Sequence, residues 1–144
     1  MSLVIDANVF VAASLVEDRF HQTSTDFLLE ARLRGGVIYA PTLILAEVAG
    51  VVSRVRKDHS YGDVAALRIE HFPKTRLRIA DGPFARKAAR LASRHALSGA
   101  DAHYVAVATE FGSTLITLDD KLLALDPQIV VTMTPRQWLK AFAT

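Results

Sequence analysis

The stretch "LVIDANVFV", Leu3 to Val11, decides the fold. The branched apolar residues Leu3, Val4 and Ile5 run straight into Asp6, and the apolar run resumes after Asn8. A short, unbroken apolar segment of this kind is the pattern of a strand covered on both faces, as in a parallel sheet. The acid at its end has three readings: a turn residue, the cap of the next helix, or a ligand for a cation. In an open parallel sheet, ligands bind beyond the carboxyl ends of the strands, which keeps the third reading in play.

Outward from that strand, helical and extended patterns alternate. A helix is expected from Val9, and a longer one over Thr23 to Arg34 with Gly35 and Gly36 as its stop. "VIYA" (37–40) reads as the second strand, and Pro41 as the opening of a helix through Lys57. "DHSYGD" (58–63) reads as a loop, followed by a helix from Val64 to His71 that Pro73 ends. "TRLRIA" (75–80) precedes the helix-start signal "DGP", and the next helix runs from Pro83 to about His95. Ser98 caps a helix that Gly112 stops. "STLITLDD" (113–120) is a further strand, "KLLAL" (121–125) a helical turn, "IVVTM" (129–133) a last strand and "PRQWLKAF" (135–142) a closing helix. Strands alternating with helices at this spacing predict a central, mostly parallel sheet with helices on both faces, an α/β fold in three layers. At 144 residues the chain matches one domain, 1–144, able to bury about two thirds of its unfolded surface.

Composition narrows the chemistry. Apolar residues make up 51% and charged residues 22%, which is globular and not disordered. Cysteine is absent, which removes disulfides, zinc–thiolate sites and thiol nucleophiles. With no basic leader and no long uncharged apolar run, a cytoplasmic protein with no membrane span is expected. Seventeen Lys and Arg against fifteen Asp and Glu leave a charge of +2, too small to argue for nucleic acid.

The chemistry is carried by acids in apolar settings. Asp6 ends strand one, and Asp119 lies just past "LIT" at the same edge of the expected sheet. Glu47 is the sole charged residue between Arg34 and Arg54, and its helical neighbours Leu43, Ile44, Gly50 and Val51 are all non-polar. Asp101 begins the stripe Tyr104, Val105, Ala108 and Phe111, the face expected to pack on the sheet. Each has a plain structural alternative: a cap for Asp6 and Asp119, a capping box for Asp101 with Ser98, and a snorkelling side chain for Glu47. Their coincidence carries the argument. Like charges about 5 Å apart and partly buried repel by several kcal/mol at intermediate dielectric. A hard dication, Mg2+ or Mn2+, relieves that repulsion with oxygen ligands and activates water for attack on a phosphodiester. Asp6, Asp101 and Asp119 would hold the ion. Glu47 would share a ligand role or position the water, and Asn8 and Thr117 would orient carboxylates from behind.

"VIDANVFV", "APTLILAEV" and above all "GADAHYVAVATEFGSTLITLDDKL" resemble the PIN domain, in the VapC-type group of toxins from toxin–antitoxin pairs. The resemblance covers nearly the whole chain in order and spacing. It implies a metal-dependent endoribonuclease with an α/β/α sheet, frequent homodimers, and an antitoxin partner that inserts into the acidic groove. The family's acidic quartet falls on Asp6, Glu47, Asp101 and Asp119, with Asn8 and Thr117 as polar support. Asp119 is preferred to its neighbour Asp120 because it stands at the family's offset.

An acidic centre repels RNA, so cations at the rim are expected to hold the backbone. The candidates are Arg54, Arg56 and Lys57, then Arg86, Lys87, Arg90 and Arg94, each of which also reads as a solvated helix face. Two other functions are weighed. A haloacid-dehalogenase-type phosphatase needs a second acid two residues after the first, and Asn8 stands there instead. A non-catalytic PIN-like module for RNA binding or dimerisation would lack one or more acids, whereas all four are present.

Overall fold

The computed structural model describes residues 1–143. Strand β1 (Ser2–Ile5) passes directly into α1 (Ala7–Ser14), and α2 (His21–Arg34) leads to β2 (Val37–Pro41). Helices α3 (Ile44–Arg56) and α4 (His59–Glu70) precede β3 (Thr75–Arg78), and α5 (Gly82–His95) and α6 (Gly99–Phe111) precede β4 (Thr114–Ile116). Short α7 (Asp120–Leu123), β5 (Thr132–Met133) and α8 (Pro135–Phe142) complete the described elements. The five strands form one sheet in the order β3-β2-β1-β4-β5, and every pairing is parallel. With helices against the sheet, this is the expected three-layer α/β/α architecture, and the sheet is wholly parallel.

The strand order positions the site. From β1 the chain steps outward to β2 and β3, then returns to the other side of β1 for β4 and β5. The reversal leaves a crevice at the carboxyl ends of β1 and β4, where such sheets bind ligands. Val4, Ile5, Leu115 and Ile116 have no exposed surface, so both central strands are covered on both faces as their unbroken apolar runs require. Asp6 and Thr117 follow immediately after the two strands, and the Asp6 N–H donates to the Ile116 carbonyl at 2.9 Å.

Several expected boundaries shift, each for a physical reason. Helix α1 starts at Ala7 and not Val9, so no loop separates Asp6 from the helix, and α2 starts at His21 and not Thr23. Pro41 ends β2, in register with Arg78, and does not open a helix; at the last strand position its missing N–H costs the ladder little. The segment 58–63 is no loop. Asp58 Oδ1 accepts the Ser60 N–H at 2.9 Å and starts α4 at His59. Gly62, which suggests a turn, is a packing residue: a Cβ there would stand 2.4 Å from the Ala49 carbonyl oxygen of α3. Strand β3 stops at Arg78, and the last strand shrinks to Thr132–Met133 because the Ile129 N–H closes a turn onto Asp126 at 2.8 Å. Among the described residues no helix is long and apolar enough to cross a membrane.

Candidate active site

Asp6 occupies the N-cap position of α1, but its side chain makes no capping bond. It turns to β4, where the Thr117 hydroxyl donates to Asp6 Oδ2 at 2.8 Å. The same hydroxyl oxygen accepts the Asp119 N–H at 3.0 Å and the Asn8 side-chain amide at 3.4 Å. Asn8 Oδ1 in turn accepts the Leu118 N–H at 3.2 Å. One fully used hydroxyl with no exposed surface thereby ties the ends of β1 and β4 together and sets the orientation of Asp6. The hydrogen bonds of Asn8 and Thr117 thus join Asp6 to the chain before Asp119.

The other acids arrive from three helices. Glu47 lies in the first turn of α3, Asp101 in the first turn of α6, and Asp119 at the N-cap of α7. All three line one open pocket of about 250 Å3 with Asp6 and Asn8. Capping and site roles coexist: Asp119 Oδ1 accepts the Lys121 N–H at 2.8 Å, while for α6 it is the Ser98 hydroxyl that caps, accepting the Asp101 N–H at 3.1 Å. Asp120 is exposed and lines a different pocket, whereas Asp119 lines this one.

The electrostatics follow from this crowding. Asp6 is 6% exposed, and its carboxyl is pushed up to about 7. Burial is the main cause, opposed by the Thr117 bond and reinforced by the charges of Asp101 and Glu47. Asp101 is also raised, by partial burial and then by Asp119, with the Ser98 hydroxyl and Lys121 pulling the other way. Lys121 is thus a nearby cation that the sequence reading overlooked. Among the described residues none of the four acids is in an ion pair.

A further residue escaped sequence reasoning. The hydroxyl of Tyr104, 1% exposed on α6, donates to Glu47 Oε1 at 2.5 Å. Burial and the adjoining charges of Glu47 and Asp6 raise its ionisation far above the ordinary phenol range, so it stays a neutral donor. Its place one turn after Asp101 was readable, but it looked like one more core aromatic on the α6 stripe.

The basic candidates stand outside the pocket. Arg56 is committed elsewhere, 3.2 Å from Glu17 and over the Tyr61 ring. Arg54 is exposed on the Glu47 side of α3 and folds back over Gly50, its guanidinium 3.2 Å from where a Cβ would be. Lys57, Arg86, Arg90 and Arg94 are exposed and Lys87 half-buried.

A model of the PIN domain matches residues 3–126. The chain belongs to the PIN domain family. Among curated relatives, ribonuclease VapC12 of Mycobacterium tuberculosis is 33% identical over 125 residues, covering 83% of this chain and 88% of that protein. Of solved structures, the Mycobacterium tuberculosis toxin VapC20, described as cleaving the sarcin–ricin loop, superposes with a TM-score of 0.72 at 23% identity. That match covers 85% of this chain and 93% of the other. A toxin–antitoxin complex from Klebsiella pneumoniae gives a TM-score of 0.63 at 20% identity over 92% and 97% of the two chains. The two structural likenesses establish the PIN fold; the sequence relative and the family model establish membership.

The donor set of this PIN domain fits a hard dication. Its pocket offers carboxylate and amide oxygens with no thiol or imidazole among its walls. The acids share the pocket without closing on a common point, since among the described residues no three such side chains are gathered tightly enough to hold a metal. Mg2+ suits that openness, because it keeps much of its water and binds directly through one or two carboxylates.

Proposed function

We propose that this PIN domain, acting as one unit over residues 1–144, is the endoribonuclease toxin of a toxin–antitoxin pair. The observation that carries this reading is the convergence of Asp6, Glu47, Asp101 and Asp119 on one pocket at the switch point of the sheet, with no cation paired to any of them among the described residues. The family and the ribonuclease relative support the same conclusion.

Asp6, Asp101 and Asp119 would hold a hydrated Mg2+ or Mn2+ between them, not all three by direct contact, and the ion would screen charge developing on the phosphodiester and acidify water. Glu47 faces the same pocket from α3 and orients the attacking water or receives its proton. Tyr104 holds Glu47 in place through Oε1, leaving the other oxygen for that task. Thr117 and Asn8 fix Asp6 and the backbone before Asp119, so the ends of β1 and β4 keep their spacing. Arg54, Lys57, Arg86 and Arg90 hold the RNA backbone at the rim, with Arg54 nearest in register to Glu47, while Arg56 would have to leave Glu17 to join them. The protein works in the cytoplasm as a homodimer and is silenced by a cognate antitoxin.

The test is cleavage of single-stranded RNA by the purified protein with Mg2+, Mn2+ or EDTA, beside Asp119→Asn. Cleavage that needs a dication and is lost in the variant is expected. RNA binding without cleavage under any of these conditions would reduce the protein to a binding module. Co-expression with the product of a small neighbouring reading frame should suppress both cleavage and growth arrest.

A further inference from the structure

A second pocket adjoins the acidic one and has no role in the reading above. It encloses about 310 Å3 between the α1–α2 connection, the start of α7 and the start of α8, within the size range of small-ligand clefts. Leu118 lines it while the next residue, Asp119, lines the acidic pocket, so the two sites share one stretch of chain past β4. Its walls carry Arg19, Phe20, Asp120 and Arg136.

Arg19 is held by its neighbour, and the start of the helix that carries Arg136 is braced. The Arg19 guanidinium lies 4.5 Å from the centroid of the Phe20 ring, and the Phe20 N–H donates to Asp18 Oδ1 at 2.8 Å, which fixes the turn. Arg136 stands in the first turn of α8, whose start is braced by Pro135 and by the reciprocal capping of Thr134 and Gln137. Among the described residues neither arginine is in an ion pair. Two guanidinium groups therefore share the pocket with a single carboxylate, Asp120, over an apolar floor that includes Leu118 and Leu123. Guanidinium groups suit phosphate, and a planar guanidinium or aromatic surface suits an unstacked base.

Resting on the nuclease reading, we propose that this pocket takes a nucleotide of single-stranded RNA beside the cleaved bond. Its phosphate meets Arg19 and Arg136, and its base lies against the Arg19–Phe20 stack. The arrangement answers a need of the acidic centre, which repels the backbone it must approach and gains from fixed cations alongside.

The test uses a fluorescein-labelled, mixed-sequence 14-nucleotide RNA, read by anisotropy in EDTA against salt and by cleavage kinetics in Mg2+ or Mn2+. The Arg19→Ala, Arg136→Ala double variant should bind about tenfold more weakly or worse, and its salt slope should fall by about two charges. KM should rise by a similar factor at unchanged kcat, with an unchanged thermal midpoint. Lysine at both positions should restore the salt slope but little of the affinity, because charge returns without the planar fork. Unchanged RNA affinity and slope in the alanine variant overturn the proposal, and so does a fall in kcat at constant KM. Loss of binding to a 12-residue poly-glutamate with RNA binding intact overturns it in favour of an acidic protein partner. Should the wild type cleave no RNA while binding still depends on the two arginines, the RNA site stands and the nuclease reading falls.

Discussion

Two clusters of charge sit at the carboxyl edge of the same sheet and are built in opposite ways. At the end of β3, Arg78 forks onto Glu110 at 2.7 and 3.0 Å, reaches Asp81 at 3.4 Å, and lies over the Phe84 ring. The carboxyls of Glu110 and Asp81 are held below their ordinary range, Glu110 chiefly by the Arg78 bond and Asp81 chiefly by the Phe84 N–H it caps. At the ends of β1 and β4 the acids lack ion pairs among the described residues, and Asp6 and Asp101 are displaced upward. A carboxylate that serves the fold is compensated by the fold itself, whereas one left uncompensated in a cleft is available to an external cation. The first cluster ties β3 to α5 and α6; the second has no ion pair among the described residues to close it.

The sharpest way to break this contrast is to neutralise one acid in each cluster. Asp6→Asn should lower RNA cleavage by about a hundred- to a thousand-fold or more while raising the thermal midpoint in EDTA at pH 8. A lowered midpoint would mean that Asp6 is a structural anion like Glu110. The size of the stabilisation follows from linkage. A carboxyl raised from 3.8 to about 7 in the folded state leaves stability untouched below its unfolded value. The penalty grows as pH rises from about 4 to 7 and is constant above, at most on the order of 4 kcal/mol. Denaturant titrations of the wild type in EDTA should therefore show stability falling across that window, and Asp6→Asn should flatten the curve.

Mg2+ or Mn2+ at about a hundred times its dissociation constant should return on the order of 3 kcal/mol to the wild type, and much less to Asp6→Asn. Equal gains in both proteins, measured by thermal shift, would detach Asp6 from the cation. Tyr104→Phe should lower kcat about tenfold, as expected for one lost hydrogen bond to a charged group. The variant should keep its KM and its fold, and an unchanged kcat would show that Glu47 needs no help from α6. The smallest effect is reserved for the compensated cluster. Glu110→Gln should lower the thermal midpoint slightly, more at low salt than at high, because the pair is still partly open to solvent. Cleavage should be unaffected, and a comparable loss of activity would join the two clusters into one functional unit.

Much of this was readable from residue order. Unbroken apolar strands alternating with helices dictate a parallel sheet, and that sheet dictates where an acid after a strand must stand, so Asp6 and Asp119 were legible. Glu47 stood out as a lone charge on an apolar helix, and Asp101 as an acid opening an apolar stripe. Gly62 misled because a packing glycine and a turn glycine look alike until the neighbouring helix is present. Tyr104 and the Arg19–Arg136 pocket were hidden for a related reason: their partners lie 57 residues away in one case and on separate elements in the other.

Periodicity and local chemistry, which need only near neighbours in the chain, thus determined the layers, the parallel strands and the identity of the acids. Which carboxylates find a cation distant in the chain, as Glu110 finds Arg78, was decided by tertiary structure. Pairing depends on distances across the sheet edge, and those exist only after β1 and β4 lie side by side and α3, α6 and α7 bring their first turns to the same crevice.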